Sequence, residues 1–189
     1  MSSRPADRAI ADARATAHAL AARAGDRAAL GEFIRLTQGD VRRFLAHLAG
    51  EDAADDLTQE TYLRAMDALP GFRGESTVRS WLLTIARRTA ADRVRREVGQ
   101  PPMVSTERAQ DPRVPGPHRR VEIETMLASL DPAKREALVL TQVCGFSYAE
   151  AADIVGVAVG TIRSRVARAR ADLVAEWSDT VQVLGRLTG

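Results

Sequence analysis

A chain of 189 residues holds one medium-sized or two small domains, each able to bury a core. A hydrophobic share of 45% and a charged share of 28% exclude a disordered chain, and no apolar run reaches the length of a membrane span. The net charge of +2 is too small to mark a nucleic-acid binder, so the distribution of charge has to carry that question.

Arginine and aspartate interrupt the N-terminus throughout, so no secretory signal is expected there. A single cysteine, Cys144, excludes an internal disulfide, fits a reducing cytoplasmic compartment and is expected to pack as a small core residue. Aromatic residues make up only 4% of the chain, and the abundance of alanine and leucine favours helices. Residues 6–24 read as an alanine-rich amphipathic helix closed by Gly25. Asp26 is an N-cap for a second helix carrying Leu30, Phe33, Ile34, Val41, Phe44, Leu45 and Leu48, in which Gly39 is expected to bend or interrupt the path. Gly50 ends it. Asp52 is expected to cap a third helix that runs to about Leu69, before Pro70 and Gly71 break the chain.

The third helix has two faces. Ala53, Leu57, Tyr62, Met66 and Leu69 point to a core, while Asp55, Asp56, Gln59, Glu60 and Leu63 line an acidic face with one apolar residue in it. Acids at a helix N-terminus suit the helix dipole, which accounts for Asp55 and Asp56 but not for Gln59, Glu60 or Leu63 farther along. The loop Gly71–Ser76 follows, then a long helix capped near Ser76 with Val78, Trp81, Leu82, Ile85 and Ala86 as its apolar stripe. Between Arg87 and Arg96 five arginines stand against Asp92 alone. A basic helix beside a glycine-containing loop suits single-stranded DNA, whose phosphates it can track while aromatic rings stack on bases. Trp81 at helical spacing fits a core position equally well.

From Gly99 to Arg120 helical periodicity disappears and five of the eight prolines occur, which reads as a semi-extended linker. Val121–Leu130 reads as a helix, and Asp131-Pro132 is an N-cap with proline at the first helical position, opening a helix to Val143. Ser147 with Glu150 is a capping box, and Gly156 supplies the left-handed residue that ends the short helix between them. A further helix runs from about Ala158 past Arg170. Ile162, Val166, Ala169 and Leu173 form its apolar face, and Ser164, Ala167 and Arg168 lie opposite, flanked by Thr161 and Arg163. Val159–Arg170 contains four arginines and no acid. This is a helix-turn-helix pattern whose second helix offers bidentate arginines to guanine edges in a major groove. The residues after Trp177 read as a short tail. His18, His47 and His118 lack metal-ligand spacing, and no phosphate loop or nucleophile motif is present, so neither a metal, a cofactor nor catalysis is expected.

Asp55-Asp56-Leu57-Thr58-Gln59-Glu60-Thr61-Tyr62, then Phe72-Arg73-Gly74-Glu75-Ser76 with Trp81-Leu82, then Val159-Gly160-Thr161-Ile162-Arg163-Ser164-Arg165 resemble the extracytoplasmic-function, or group IV, sigma factors of the bacterial sigma-70 family. The resemblance runs in the family's order from about Gly25 to Trp177. It implies an all-α chain of two small helical domains: a region 2 bundle at 1–96 and a region 4 helix-turn-helix at 121–177, with a linker at 97–120 and a tail at 178–189. It implies a sigma factor, not an enzyme, that binds core RNA polymerase through the β′ clamp helices and the β subunit and directs transcription from promoter DNA. Asp55, Asp56, Gln59, Glu60 and Leu63 are then the polymerase contacts. Phe72, Arg73, Ser76, Arg79, Arg87 and Arg88 are the −10 element contacts, and Thr161, Arg163, Ser164, Arg165 and Arg168 the −35 contacts. An anti-sigma factor is a further partner that the resemblance admits. Ala158 stands where many relatives have proline, and Val157 is a poor N-cap, so fraying is expected at the start of the recognition helix. The competing reading is a helix-turn-helix regulator that binds DNA unaided; it leaves the Asp55–Tyr62 helix and the Phe72–Trp81 segment without a purpose.

Overall fold

The computed structural model describes the backbone of residues 5–98 and 125–187, and every described element is helical. The helices are α1 (Pro5–Arg23), α2 (Arg27–Ala49), α3 (Glu51–Ala68), α4 (Val78–Val98), α5 (residues 125–129), α6 (Pro132–Leu138), α7 (Tyr148–Val155) and α8 (Val159–Leu187). The chain divides after Arg96 into two units. The expected linker and the first residues of the Val121–Leu130 helix fall largely on 99–124, outside the described residues.

The first unit is built on side-chain size. Ala15 and Ala19 of α1 are buried and small, so α2 approaches closely and brings Phe33, Val41, Phe44 and Leu45 inward. Leu57 from α3 and Leu82 and Leu83 from α4 complete the centre, each fully buried and worth about 1.5–3 kcal/mol of transfer free energy. Asp26 caps α2 as its chemistry requires, its carboxylate accepting from the amides of Ala28 and Ala29 (2.9 and 3.0 Å). Thr37 fills a buried polar position: its hydroxyl donates to the Phe33 carbonyl (2.7 Å) and pairs with the Tyr62 hydroxyl (2.7 Å). Burial pushes the Tyr62 phenol up to about 12.

Several expected boundaries move. Gly39 does not interrupt α2, since Thr37 and Val41 on either side of it are packed into the core. Asp52 is not a cap, since α3 begins at Glu51 after Gly50, whose φ of 89° only glycine adopts without strain. The cap of α4, expected near Ser76, is Thr77: the Ser80 amide donates to the Thr77 hydroxyl oxygen (3.2 Å). On α3 the inward residues include Ala54, Thr61 and Ala65, while Tyr62 and Met66 are half-buried.

In the second unit Asp131 caps α6 with Pro132 at the first position, accepting from the amides of Ala133 and Lys134. The expected single helix to Val143 is α6 followed by a π-helical turn over Val139–Val143, in which the Cys144 amide reaches the Val139 carbonyl (2.8 Å). Cys144 is buried as a small core residue. Both halves of the Ser147–Glu150 capping box form, and Gly156 adopts φ 77° to close α7. The amides of Gly156 and Val157 then return to the Ala152 carbonyl (2.8 and 3.1 Å), which satisfies the end of the helix. Residues 178–187, read from sequence as a separate tail, continue α8.

Candidate polymerase and nucleic-acid interfaces

Three surfaces carry the residues singled out by sequence. On α3, burying Ala53, Ala54, Leu57, Thr61 and Ala65 leaves Asp55, Asp56, Gln59 and Leu63 exposed and Glu60 half-exposed. These five share a face, but they are not equivalent. Arg42 donates to Asp55 (2.7 Å) and also pairs with Glu51 (3.0 Å). Arg64 and Arg96 both reach Glu60 (2.6 and 3.2 Å). Arg64 extends the chain of charges to Asp92, and its guanidinium, with Arg95 beside it, holds that carboxyl below the usual carboxylate range. The side chains of Asp56, Gln59 and Leu63 make no hydrogen bond or ion pair among the described residues, and Leu63 is 69% exposed. The outer edge of the face therefore presents one unpaired carboxylate, one amide and one bare leucine.

The second surface is the segment between Phe72 and Val78 together with α4. Arg73 projects with its side chain 81% exposed, close to Glu75 (3.9 Å), and Ser76 is exposed. Two residues of the −10 set are not presented to any ligand. Phe72 is 4% exposed, with its ring on Trp81 (centroids 4.9 Å apart), because an aromatic beside an apolar helix start gains more from burial than from water. Arg79 is buried as well. Its Nε donates to Asp40 of α2 (2.6 Å), so its charge is spent inside the unit. Burial pushes the Asp40 carboxyl up, and the nearby Arg43 and Arg8 pull it back down. On α4, Arg88 is exposed and Arg87 half-buried, leaving Arg73, Ser76, Arg88 and in part Arg87 on the outside.

This segment is held from behind by α1, which the sequence reading left without a role. The Arg23 guanidinium donates to the Phe72 carbonyl (2.7 Å). The Val78 amide, the first of α4, donates to the Thr16 hydroxyl oxygen (3.0 Å), and that hydroxyl gives its own proton to the Asp12 carbonyl (2.8 Å). Gly74, at φ 73°, lies against Leu20 so closely that a Cβ there would sit 3.3 Å from Cδ1.

The third surface is the outer side of α8. Ile162, Val166 and Ala169 are buried, and Leu173 is half-buried, as the spacing requires. At about 100° per residue, Gly160, Ser164, Ala167 and Ala171 run down the centre of the opposite side. Arg163 lies along one edge and Arg168 and Thr161 along the other, with Arg165 half-buried beyond them. Small residues in the middle and arginines at the edges let a helix seat deeply between two phosphate backbones. The cap of α8 is Ala158, which offers no side-chain oxygen; only its carbonyl engages, accepting from Thr161 (2.8 Å). Arg170 donates to Gln142 of the π turn (2.8 Å), which orients it along the unit's own surface.

Two helical units, one with an acidic face and a basic loop-and-helix surface, the other with a helix-turn-helix exposing an arginine-edged helix, define a modular helical protein of the DNA-binding class. The family model described as sigma-70 region 2 matches residues 33–99, and that described as sigma-70, region 4 matches residues 120–173. The chain is 48% identical over 170 residues to the ECF RNA polymerase sigma factor SigC of Mycobacterium tuberculosis, covering 87% of this chain and 92% of that one. Among solved structures, the sigma factor RpoE in complex with the anti-sigma factor NepR from Bartonella quintana matches with a TM-score of 0.64 and 33% identity, over 76% of this chain and 93% of its own. CnrH in complex with the cytosolic domain of CnrY matches with a TM-score of 0.69 and 25% identity, over 88% and 98%. The chain belongs to the sigma-70 family, in its extracytoplasmic-function branch, and is a sigma factor for promoter-specific transcription. A regulator acting without polymerase is not favoured, since the region 2 match spans both segments that such a regulator leaves unused.

Proposed function

We propose the following division of labour. The first unit, to about Arg96, docks on core RNA polymerase and opens the −10 element; the second, from about 121, holds the −35 element as duplex; 97–120 links them. The unpaired edge of α3, Asp56, Gln59 and Leu63, is the centre of the polymerase contact, with Asp55 and Glu60 at its margins because their charges are already engaged by Arg42, Arg64 and Arg96. Arg73, Ser76, Arg87 and Arg88 face the −10 strand. Arg163, Ser164 and Arg168, with Thr161 and Arg165 beside them, face the −35 duplex. The protein works in the cytoplasm, lends specificity to a polymerase that performs the chemistry, and has an anti-sigma factor as a further partner, a kind of protein with which the Bartonella quintana relative forms a complex.

The observation that carries the reading is an exposed leucine flanked by an unpaired acid and amide on a helix inside the region 2 match. On α3 these three are side chains within that match whose hydrogen-bonding and apolar capacity is not already used inside the unit. Pull-down with purified core RNA polymerase in the absence of DNA tests it, followed by run-off transcription from a random promoter library. Core binding and transcription from a defined subset of promoters are expected. Duplex binding with no affinity for core would overturn the reading.

A further inference from the structure

We infer that α1 is a positioning element for promoter opening: Thr16, Leu20 and Arg23 hold the Phe72–Val78 segment in the shape in which it meets the −10 strand. The inference rests on the reading of that segment as the −10 surface. The three residues stand at i, i+4 and i+7, one face of one helix. They engage the segment at both ends and in the middle: the carbonyl of Phe72, the backbone of Gly74 and the amide of Val78. Neither backbone bond is local; the partners are 49 and 62 residues apart. Between these ties Arg73 and Glu75 project outward, and Ser76 is exposed. The segment has little regular structure of its own, beyond a turn bond from the Phe72 amide to Leu69 and the Thr77 cap. Without α1 the outward side chains would sample many directions, and the entropy of ordering them would fall on DNA binding. The region 2 match begins at residue 33, so α1 lies outside it.

The Thr16 hydroxyl is suited to the task. It donates to Asp12 and so turns a lone pair toward the first amide of α4, a donor with no partner inside its own helix. Valine has the same shape and neither function; serine keeps both.

The test uses the full chain assembled with core RNA polymerase and presented with a randomised single-stranded DNA pool, sequenced before and after selection. T16V/R23Q is expected to bind core as the parent does but to lose base preference in the pool, with enrichment of the favoured sequences down about tenfold. T16S is expected to keep the parental profile. R23Q alone changes an exposed side chain, leaves the fold intact and is expected to show part of the effect. A folded, core-bound T16V/R23Q with the parental profile, beside an R73A/S76A variant that has lost its own, would overturn the inference alone. If R73A/S76A also keeps the parental profile, the −10 assignment of the segment fails, and the inference fails with it.

Discussion

The clearest division between charge that binds DNA and charge that builds the protein concerns Arg79. Its side chain is 8% exposed and its Nε lies 2.6 Å from Asp40, which is itself 28% exposed. Breaking a buried ion pair by removing one partner costs about 3–5 kcal/mol, because the other charge is left uncompensated. The two single changes should not cost the same. Asp40→Asn takes the carboxylate away from a nearly water-free guanidinium and is expected to destabilise the first unit by about 3 kcal/mol. Arg79→Met strands a carboxylate that keeps some water and has Arg43 at 3.4 Å, so about 2 kcal/mol is expected. Replacing both, as D40N/R79M, removes the charges together and should cost only about 2 kcal/mol, against about 5 kcal/mol for the sum of the single changes, giving a coupling free energy of about 3 kcal/mol. For a unit of this size each kcal/mol moves Tm by about 4–8 °C, so Asp40→Asn should lower it by about 12–24 °C. The two units can unfold separately, and each holds one of the two tryptophans. Thermal melts followed by fluorescence in a W177F background therefore report on the first unit through Trp81. If Arg79→Met melts with the parental protein while its holoenzyme no longer opens DNA, Arg79 is a DNA contact in solution and the burial argument is wrong.

Asp56→Arg with Leu63→Glu should abolish binding to core polymerase while changing stability by no more than about 0.5 kcal/mol, since neither side chain has a partner among the described residues; parental affinity in the folded variant would move the docking face elsewhere. On α8, Arg163→Ala and Arg168→Ala should each relax preference at one −35 position by about 1–3 kcal/mol, whereas Arg170→Ala, which loses a bond to Gln142, should weaken all sequences alike; binding to a −35 duplex library at two salt concentrations separates these outcomes. Tyr62 links stability to pH at the alkaline end. Its folded pKa of about 12 lies above the unfolded value near 10, so its contribution is whole below pH 10 and is lost as pH rises toward 12, to a total of about 2–3 kcal/mol. Absorbance titration should show one tyrosine ionising late, and urea melts of Tyr62→Phe should lack the corresponding slope.

Which features were legible in the sequence follows from how far apart the interacting residues are. Asp26, the Asp131-Pro132 pair, the Ser147–Glu150 box and Gly156 act on amides within a few residues, and each does in space what its local chemistry demands. The apolar stripe of α8 is legible for the same reason, since helical geometry alone lines up Ile162, Val166 and Ala169. Several of the cases that differ depend on a distant partner. Gly39 is a helix breaker only where packing does not override it, and here the core does. Thr16 and Arg23 sit in an alanine-rich helix with no motif to mark them, because what gives them a role lies 62 and 49 residues away. Arginine shows the point most sharply. Arg79 and Arg168 are alike in a pattern of basic positions, but Asp40 lies across from the first, while the second makes no ion pair among the described residues. A count of positive charge cannot separate an arginine whose counter-ion is a carboxylate on α2 from one whose counter-ion is the phosphate it waits for.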